Sequence, residues 1–242
     1  MRRYDPNQPL CYIHVPKTGG RSVRNVFAGW FGQGLVTHYF NDRLAKMHPV
    51  ADMTHSPETP MCVYGHFSRK NGLGVEHSFP DITQFLTILR DPVERVVSQY
   101  YYQRRPGAVF RDPSRVPDIS LREHLATTKS QMLQHFPRDV TPQNYRALIE
   151  EYFIDIGFLE DLENSLRRFA KHLGRDIPDQ AQPRENAAAR DSQTEDIEDL
   201  RAVFFDNNPL DHDVYQYAKA RFGQADLSQL ETGADVSPAG GA

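Results

Sequence analysis

Leu10-Cys11-Tyr12-Ile13-His14-Val15-Pro16-Lys17-Thr18-Gly19-Gly20-Arg21-Ser22-Val23 is the stretch whose reading decides the fold. Leu10 to Val15 is a short apolar, β-prone run and predicts a buried strand. Pro16 to Gly20 is a turn, because proline ends a ladder and two glycines can take φ > 0. From Ser22 onward, Val23, Val26, Phe27 and Trp30 recur at the spacing of one apolar helix face. A strand, a tight Gly-Gly loop holding a lysine, and a helix together make a cradle for phosphate. The helix start offers unpaired N–H groups and a partial positive charge, and glycine lets the backbone approach an anion. Lys17 adds a full charge, and the hydroxyls of Thr18 and Ser22 can donate.

Working outward, Met61 to Tyr64 predicts a second strand, ending at Gly65-His66-Phe67. Phe85 to Leu89 predicts a third, running straight into Arg90-Asp91-Pro92-Val93-Glu94. Asp91 suits a helix N-cap, Pro92 the first helical position, and Glu94 the far corner of a capping box. The helix that follows should bury Val93, Val96, Val97, Tyr100 and Tyr101. Residues 35–60 read as irregular, with His38, His48 and His55 as exposed loop histidines. Residues 68–80 read as a polar loop and 104–152 as helical additions, with start signals at Ser120 and Thr141-Pro142. Phe153 to Phe158 is a fourth strand. The helix after it carries Leu162, Leu166, Phe169 and Leu173 on its core face and stops at Gly174. Residues 175–195 read as a substrate-side loop containing Asn186, and two amphipathic helices follow at roughly 195–206 and 211–222.

Two of these motifs resemble the nucleotide-binding motifs of sulfotransferases that use 3′-phosphoadenosine 5′-phosphosulfate (PAPS). A Walker A lysine follows its glycines, whereas Lys17 precedes them in Pro16-Lys17-Thr18-Gly19-Gly20-Arg21-Ser22. That order resembles the family's 5′-phosphosulfate loop, most of all in the carbohydrate group that includes heparan sulfate 2-O-sulfotransferase and its bacterial relatives. Leu89-Arg90-Asp91-Pro92-Val93-Glu94-Arg95 with Ser98 and Tyr100 resembles the family's 3′-phosphate motif, in which the arginine and the serine hold that phosphate. Asp211, Val214, Tyr215 and Ala218 resemble the family's C-terminal helix. Arg21 departs from the small or hydroxyl residue many relatives carry there, at little cost if the loop works through its backbone.

The resemblance implies an α/β, P-loop-like three-layer fold with a central parallel sheet flanked by helices. It implies a PAPS site made of Lys17, Thr18, Gly19, Gly20, Arg21, Ser22, Arg90 and Ser98, with 3′,5′-adenosine bisphosphate as product and no metal. Lys17, His66 and Arg90 each follow a predicted strand, and ligands of an open parallel sheet bind beyond those strand ends. His66 is the candidate base for the acceptor hydroxyl, since histidine titrates near neutrality and the family's carbohydrate members place one at this strand end. Lys17 would stabilise the leaving group. His14 reads as a satisfied core residue, while His124 and His135 are further histidines without a placing argument. The rivals are a P-loop-type kinase using ATP, and a non-catalytic nucleotide- or glycan-binding relative.

The remaining bounds come from composition. At 242 residues, with 39% hydrophobic and 25% charged residues, the chain suits one soluble domain over 1–232, with 233–242 as a disordered tail. A formal net charge of -4 argues against a general nucleic-acid binder. Cys11 and Cys62 read as reduced thiols in buried strands. No stretch suits a membrane span or a signal peptide, so the expectation is a cytoplasmic enzyme, bacterial or trimmed of its relatives' anchor. Arg95, Arg104, Arg105 and Arg111, with Arg69 and Lys70, predict attraction for an anionic acceptor, a carbohydrate or other small molecule with a free hydroxyl.

Overall fold

The computed structural model describes residues 2–41, 46–47, 55–105, 116–177 and 197–223. Arg111, Asn186, His48, the stretch 178–196 and the tail from 224 lie outside the described residues. In chain order the strands are β1 (Leu10–Ile13), β2 (Leu35–His38), β3 (Phe40–Asn41), β4 (Lys46–Met47), β5 (Cys62–Gly65), β6 (Gln84–Leu89) and β7 (Phe153–Phe158). The helices are α1 (Gly20–Phe31), α2 (Val75–Ser78), α3 (Pro92–Arg104), α4 (Leu121–Thr127), α5 (Tyr145–Tyr152), α6 (Leu162–Leu173), α7 (Ile197–Asn207) and α8 (Pro209–Phe222).

Five strands form one sheet in the order β2-β5-β1-β6-β7, every neighbouring pair parallel, while β3 and β4 form a separate antiparallel pair. Parallel strands are covered on both faces, which is why β1, β5, β6 and β7 are buried at every position. Leu10 and Tyr12 on one face pack with Val23 and Phe27 of α1 and with Leu162, Leu166, Phe169 and Leu173 of α6. Cys11 and Ile13 on the other face pack with Leu148 and Ile149 of α5 and with Val214, Tyr215, Ala218 and Phe222 of α8. The two cysteines belong to opposite faces, and both are free thiols. A third cluster joins Val93, Val96 and Val97 of α3 to Leu125 of α4 and to Leu200 and Phe204 of α7. The fold is thus α/β with helices on both sides of a parallel sheet.

Several local expectations change. Residues 35–38, read as irregular, form the edge strand β2, and His38 is buried rather than exposed. Residues 68–80 contain the short helix α2. Residues 2–9, whose sequence reads as a flexible lead-in, are tied to the domain. The buried Gln84 amide accepts from Asp5 N–H and donates to the carbonyls of Asp5 and Gln8, and Arg2 donates to Glu151 O and Thr83 Oγ1. His55 takes part in a similar tie, accepting from Met61 N–H through Nδ1.

The sheet reverses direction of winding at β1. The chain leaves β1 through α1 toward β2 on one side, and leaves β6 through α3 toward β7 on the other. The carboxyl ends of the adjacent strands β1 and β6 therefore border the crevice where open parallel sheets hold ligands.

Candidate functional site

The loop after β1 is built around two left-handed residues, Lys17 (φ 74) and Gly19 (φ 76). For glycine that conformation is free, but for lysine it is strained by order of 1 kcal/mol. Surroundings hold the strain in place. Thr18 is fully buried, and its hydroxyl donates to Val15 O at 2.8 Å, pinning the turn. The Thr18 hydroxyl therefore faces inward, contrary to its expected part in anion contact, and only its backbone N–H remains for that purpose. Gly19 O accepts from Ser22 N–H and Val23 N–H, which starts α1 without a side-chain cap. Tyr64 donates its hydroxyl to Gly20 O at 2.7 Å. A Cβ on Gly20 would lie 1.8 Å from Nε2 of His14, so only glycine fits there.

The backbone N–H groups of Thr18, Gly19, Gly20 and Arg21 find no acceptor in the protein among the described residues. They sit at the amino end of a 12-residue helix, where the backbone carries partial positive charge. Ser22 is half-buried at the same turn, and Arg21 is exposed with its side chain turned out.

Lys17 reaches across to the neighbouring motif. Its Nζ lies 4.1 Å from the ring centroid of Tyr102 in α3. Burial, with Arg105 and Arg90 nearby, lowers its pKa to about 8. Lys17, Arg90 and Arg105 thus lie close enough to act on one another as like charges. Arg90 follows β6 and meets Glu94 at 3.3 Å, both side chains one-fifth exposed. Asp91 caps α3 as expected, accepting from Val93 N–H and Glu94 N–H, with Pro92 in the first turn. The capping box does not close through Glu94. Asp91 N–H instead donates to Glu160 Oε1, and Asp91 Oδ2 accepts from Arg201 at 2.7 Å. Glu160 in turn accepts from the Tyr215 hydroxyl. Ser98 is half-buried further along α3.

The next arginine does something the sequence did not suggest. Arg95 is 5% exposed and reaches toward Ser130, whose hydroxyl donates to Asp211 of α8. Burial and Arg90 lower its pKa to about 10 against the pull of Asp211. Asp211 and Tyr215 of the C-terminal helix thereby brace both sides of the Arg90 turn. Arg95 is absent from the outer face, and Arg104 spends a donor on Pro117 O. Arg69 is held by Glu76 and lies near Asp139. Of the basic group expected beside the crevice, Arg69 and Arg95 are thus committed within the protein, while Lys70, Arg104 and Arg105 are exposed.

On the other side of β1, His66 follows β5 and lies half-buried among other histidines. Its Nδ1 is 2.6 Å from His14 O. A carbonyl only accepts, so Nδ1 carries the proton and Nε2 keeps its lone pair. Burial lowers the pKa below the ordinary value, against the bond to His14 O, so the ring is neutral at pH 7. His135 bonds Phe67 O through Nδ1, and its ring centroid lies 6.4 Å from that of His66. Burial first and His66 second push its pKa down to about 3. His124 packs on Tyr100 of α3, away from this group. Lys17, His66 and Arg90 therefore lie beyond the ends of β1, β5 and β6, three strands adjacent in the sheet. Among the described residues no group of His, Cys, Asp or Glu is arranged to hold a metal ion, and no helix is long and apolar enough to cross a membrane.

Comparison with curated proteins gives no match. Among solved structures, mouse sulfotransferase SULT7A1 complexed with PAP aligns at 12% identity over 90% of each chain, with a TM-score of 0.49. Residues 2–217 match the sulfotransferase family, and these residues span the Lys17 loop, the Arg90 turn, the histidine group and the first part of the bracing helix α8, with Asp211 and Tyr215. A match over that much of the sequence settles membership: the chain belongs to the sulfotransferase family.

Proposed function

We propose that the protein transfers a sulfuryl group from PAPS to an acceptor hydroxyl, on a carbohydrate, as in the heparan sulfate 2-O-sulfotransferase-like group. The observation that carries the reading is a juxtaposition. Free N–H groups and a strained lysine stand at the end of β1, an arginine and a helical serine follow β6, and a neutral histidine with a free Nε2 follows β5.

The residues fit the donor. A site for adenosine carrying both a 5′- and a 3′-phosphate needs two separated anion holders. The N–H groups from Thr18 to Arg21, with the Ser22 hydroxyl, would hold the 5′-phosphate at the amino end of α1. Arg90 and Ser98 would hold the 3′-phosphate, with Arg90 leaving Glu94 for the more highly charged partner. PAPS brings a sulfuryl group bonded to a phosphate that departs as the leaving group. Lys17, lifted from Tyr102, stabilises charge growing on the oxygen between sulfur and phosphorus. His66 Nε2 takes the proton of the attacking hydroxyl, while His14 O keeps the other ring nitrogen protonated. Positioning and fixed charge supply the rate enhancement, and no metal is assigned a step. The exposed Lys70 and Arg105 support an anionic acceptor, although less strongly than the full set of arginines in the sequence suggested.

The test is transfer of radiolabelled sulfuryl from PAPS to a panel of uronic-acid and neutral oligosaccharides. His66→Ala should lower turnover by about 10²–10⁴-fold, the usual contribution of a general base, while bisphosphate affinity stays within about twofold of wild type. Phosphoryl transfer from ATP with magnesium in place of sulfuryl transfer would overturn the assignment.

A further inference from the structure

Parallel pairing lines up three residues immediately past the last paired positions. Ile13, Gly65 and His38 are in register across β1, β5 and β2, so His14, His66 and Tyr39 stand side by side at one end of the sheet. The row is anchored by backbone bonds, His14 N–H to Gly65 O and His66 N–H to His38 O. His66 is the middle member. Its ring stacks on His14 with centroids 4.3 Å apart and planes 26° apart, and meets Tyr39 edge-on at 4.8 Å. The outer two members also meet each other, with Tyr39 Oη 3.0 Å from His14 Nδ1. That hydrogen bond closes the row around His66. On its far side the His14 ring lies against the Cα of Gly20, the first residue of α1, so closely that no Cβ could fit between them.

We propose that His14 and Tyr39 form a clasp that positions His66, and that His14 ties this position to the phosphate-type loop at Gly20. The proposal rests on the reading of His66 as the base. His14 is then more than a satisfied core residue. Its carbonyl selects the His66 tautomer, its ring face sets the plane of the His66 ring, and its Nδ1 is held by Tyr39. Among the described residues, the titratable and charged groups around the row come from five elements. They are His14 after β1, Tyr39 after β2, Tyr64 of β5, whose ring lies 5.8 Å from that of His14, His135 from the turn at 133–135, and Arg24 of α1, which acts on both His14 and Tyr39. Burial and the other two histidines keep His14 neutral, so its Nδ1 can accept from the Tyr39 hydroxyl, which burial keeps protonated.

Tyr39→Phe removes one hydroxyl and keeps the edge contact, so folding should survive. With the clasp open, the His14 ring can turn, water reaches His66, and the His66 pKa should rise toward the ordinary value. A base works when neutral, so the acid limb of kcat/KM should move to higher pH. Turnover should fall by roughly five- to tenfold, the scale of one lost hydrogen bond, with KM for PAPS unchanged. His14→Phe should give the same shift, and the double variant should be no worse than either single one, because both break one bond. Nitrogen NMR of the histidine rings in nucleotide-free protein supplies a readout that needs no activity. Wild-type His66 should show Nδ1–H and titrate low, and Tyr39→Phe should titrate higher. Unchanged His66 titration and an unmoved acid limb in both variants would overturn the clasp. Full turnover in His66→Ala would instead overturn the base reading, while the NMR titration still reports on the clasp by itself.

Discussion

Lys17 concentrates the chemistry of the phosphate-type loop in one residue. A pKa of about 8 places it near the edge of losing its charge while the loop holds no anion. A bound phosphate favours the charged form, so the bound pKa is higher and binding takes up a proton between the two values. Bisphosphate affinity should therefore be flat below about pH 8 and fall by up to tenfold per pH unit above it. Lys17→Arg should flatten that slope, because guanidinium keeps its charge across the range. Calorimetric titration across this window checks both, and a wild-type affinity independent of pH would contradict the assignment. At this scale the sequence was legible where the chemistry is local. Lys17, Gly19 and Gly20 could be placed because strand, turn and helix follow within a short stretch. The inward turn of the Thr18 hydroxyl and the stacking of Lys17 on Tyr102 could not, since each depends on a backbone conformation or a partner far along the chain.

Elements carry the next level, and the junction of β7 with α6 shows what anchors the rigid side of the site. Asp155 in β7 is 1% exposed and accepts from Arg168 of α6 at 2.9 and 3.2 Å, with His172 Nε2 at 3.3 Å. Removing one member of such a buried pair leaves the other charge without compensation. Asp155→Ala should cost about 3–5 kcal/mol of stability, read as a lower urea midpoint. Bisphosphate affinity of the folded fraction should change little, because Asp155 lies outside the residues proposed to hold phosphate. A midpoint equal to wild type would contradict the account. Core strands and amphipathic helices were readable from periodicity, and the cap of α3 from Asp91-Pro92. The strand β2 was not, because a four-residue edge strand, Leu35 to His38, with only two apolar residues leaves no apolar run to detect. Missing β2 also meant missing the row in which Tyr39 meets His66. The partner of Asp91 N–H was equally hidden, since Glu160 is 69 positions away rather than three.

The whole molecule places the Lys17 loop and the Arg90 turn at the carboxyl ends of adjacent strands, with a histidine row beside them and α8 bracing the Arg90 turn. The layer order was legible through the family resemblance, and the buried apolar strands fit the parallel sheet it implied. The bracing was not, although Asp211 and Tyr215 were singled out, because a motif does not reveal what its side chains touch. The central claim is that the Arg90 turn recognises a 3′-phosphate while the Lys17 loop recognises a 5′-phosphate. The most direct measurement compares 3′,5′-adenosine bisphosphate with adenosine 5′-phosphate, by calorimetry on wild type and on Arg90→Ala with Ser98→Ala. Charge-assisted hydrogen bonds contribute about 1.5–3 kcal/mol each, so wild type should prefer the bisphosphate by tenfold or more. The double variant should lose that preference while keeping its affinity for adenosine 5′-phosphate. Equal affinity of wild type for the two nucleotides, or an equal loss for both in the variant, would contradict the account.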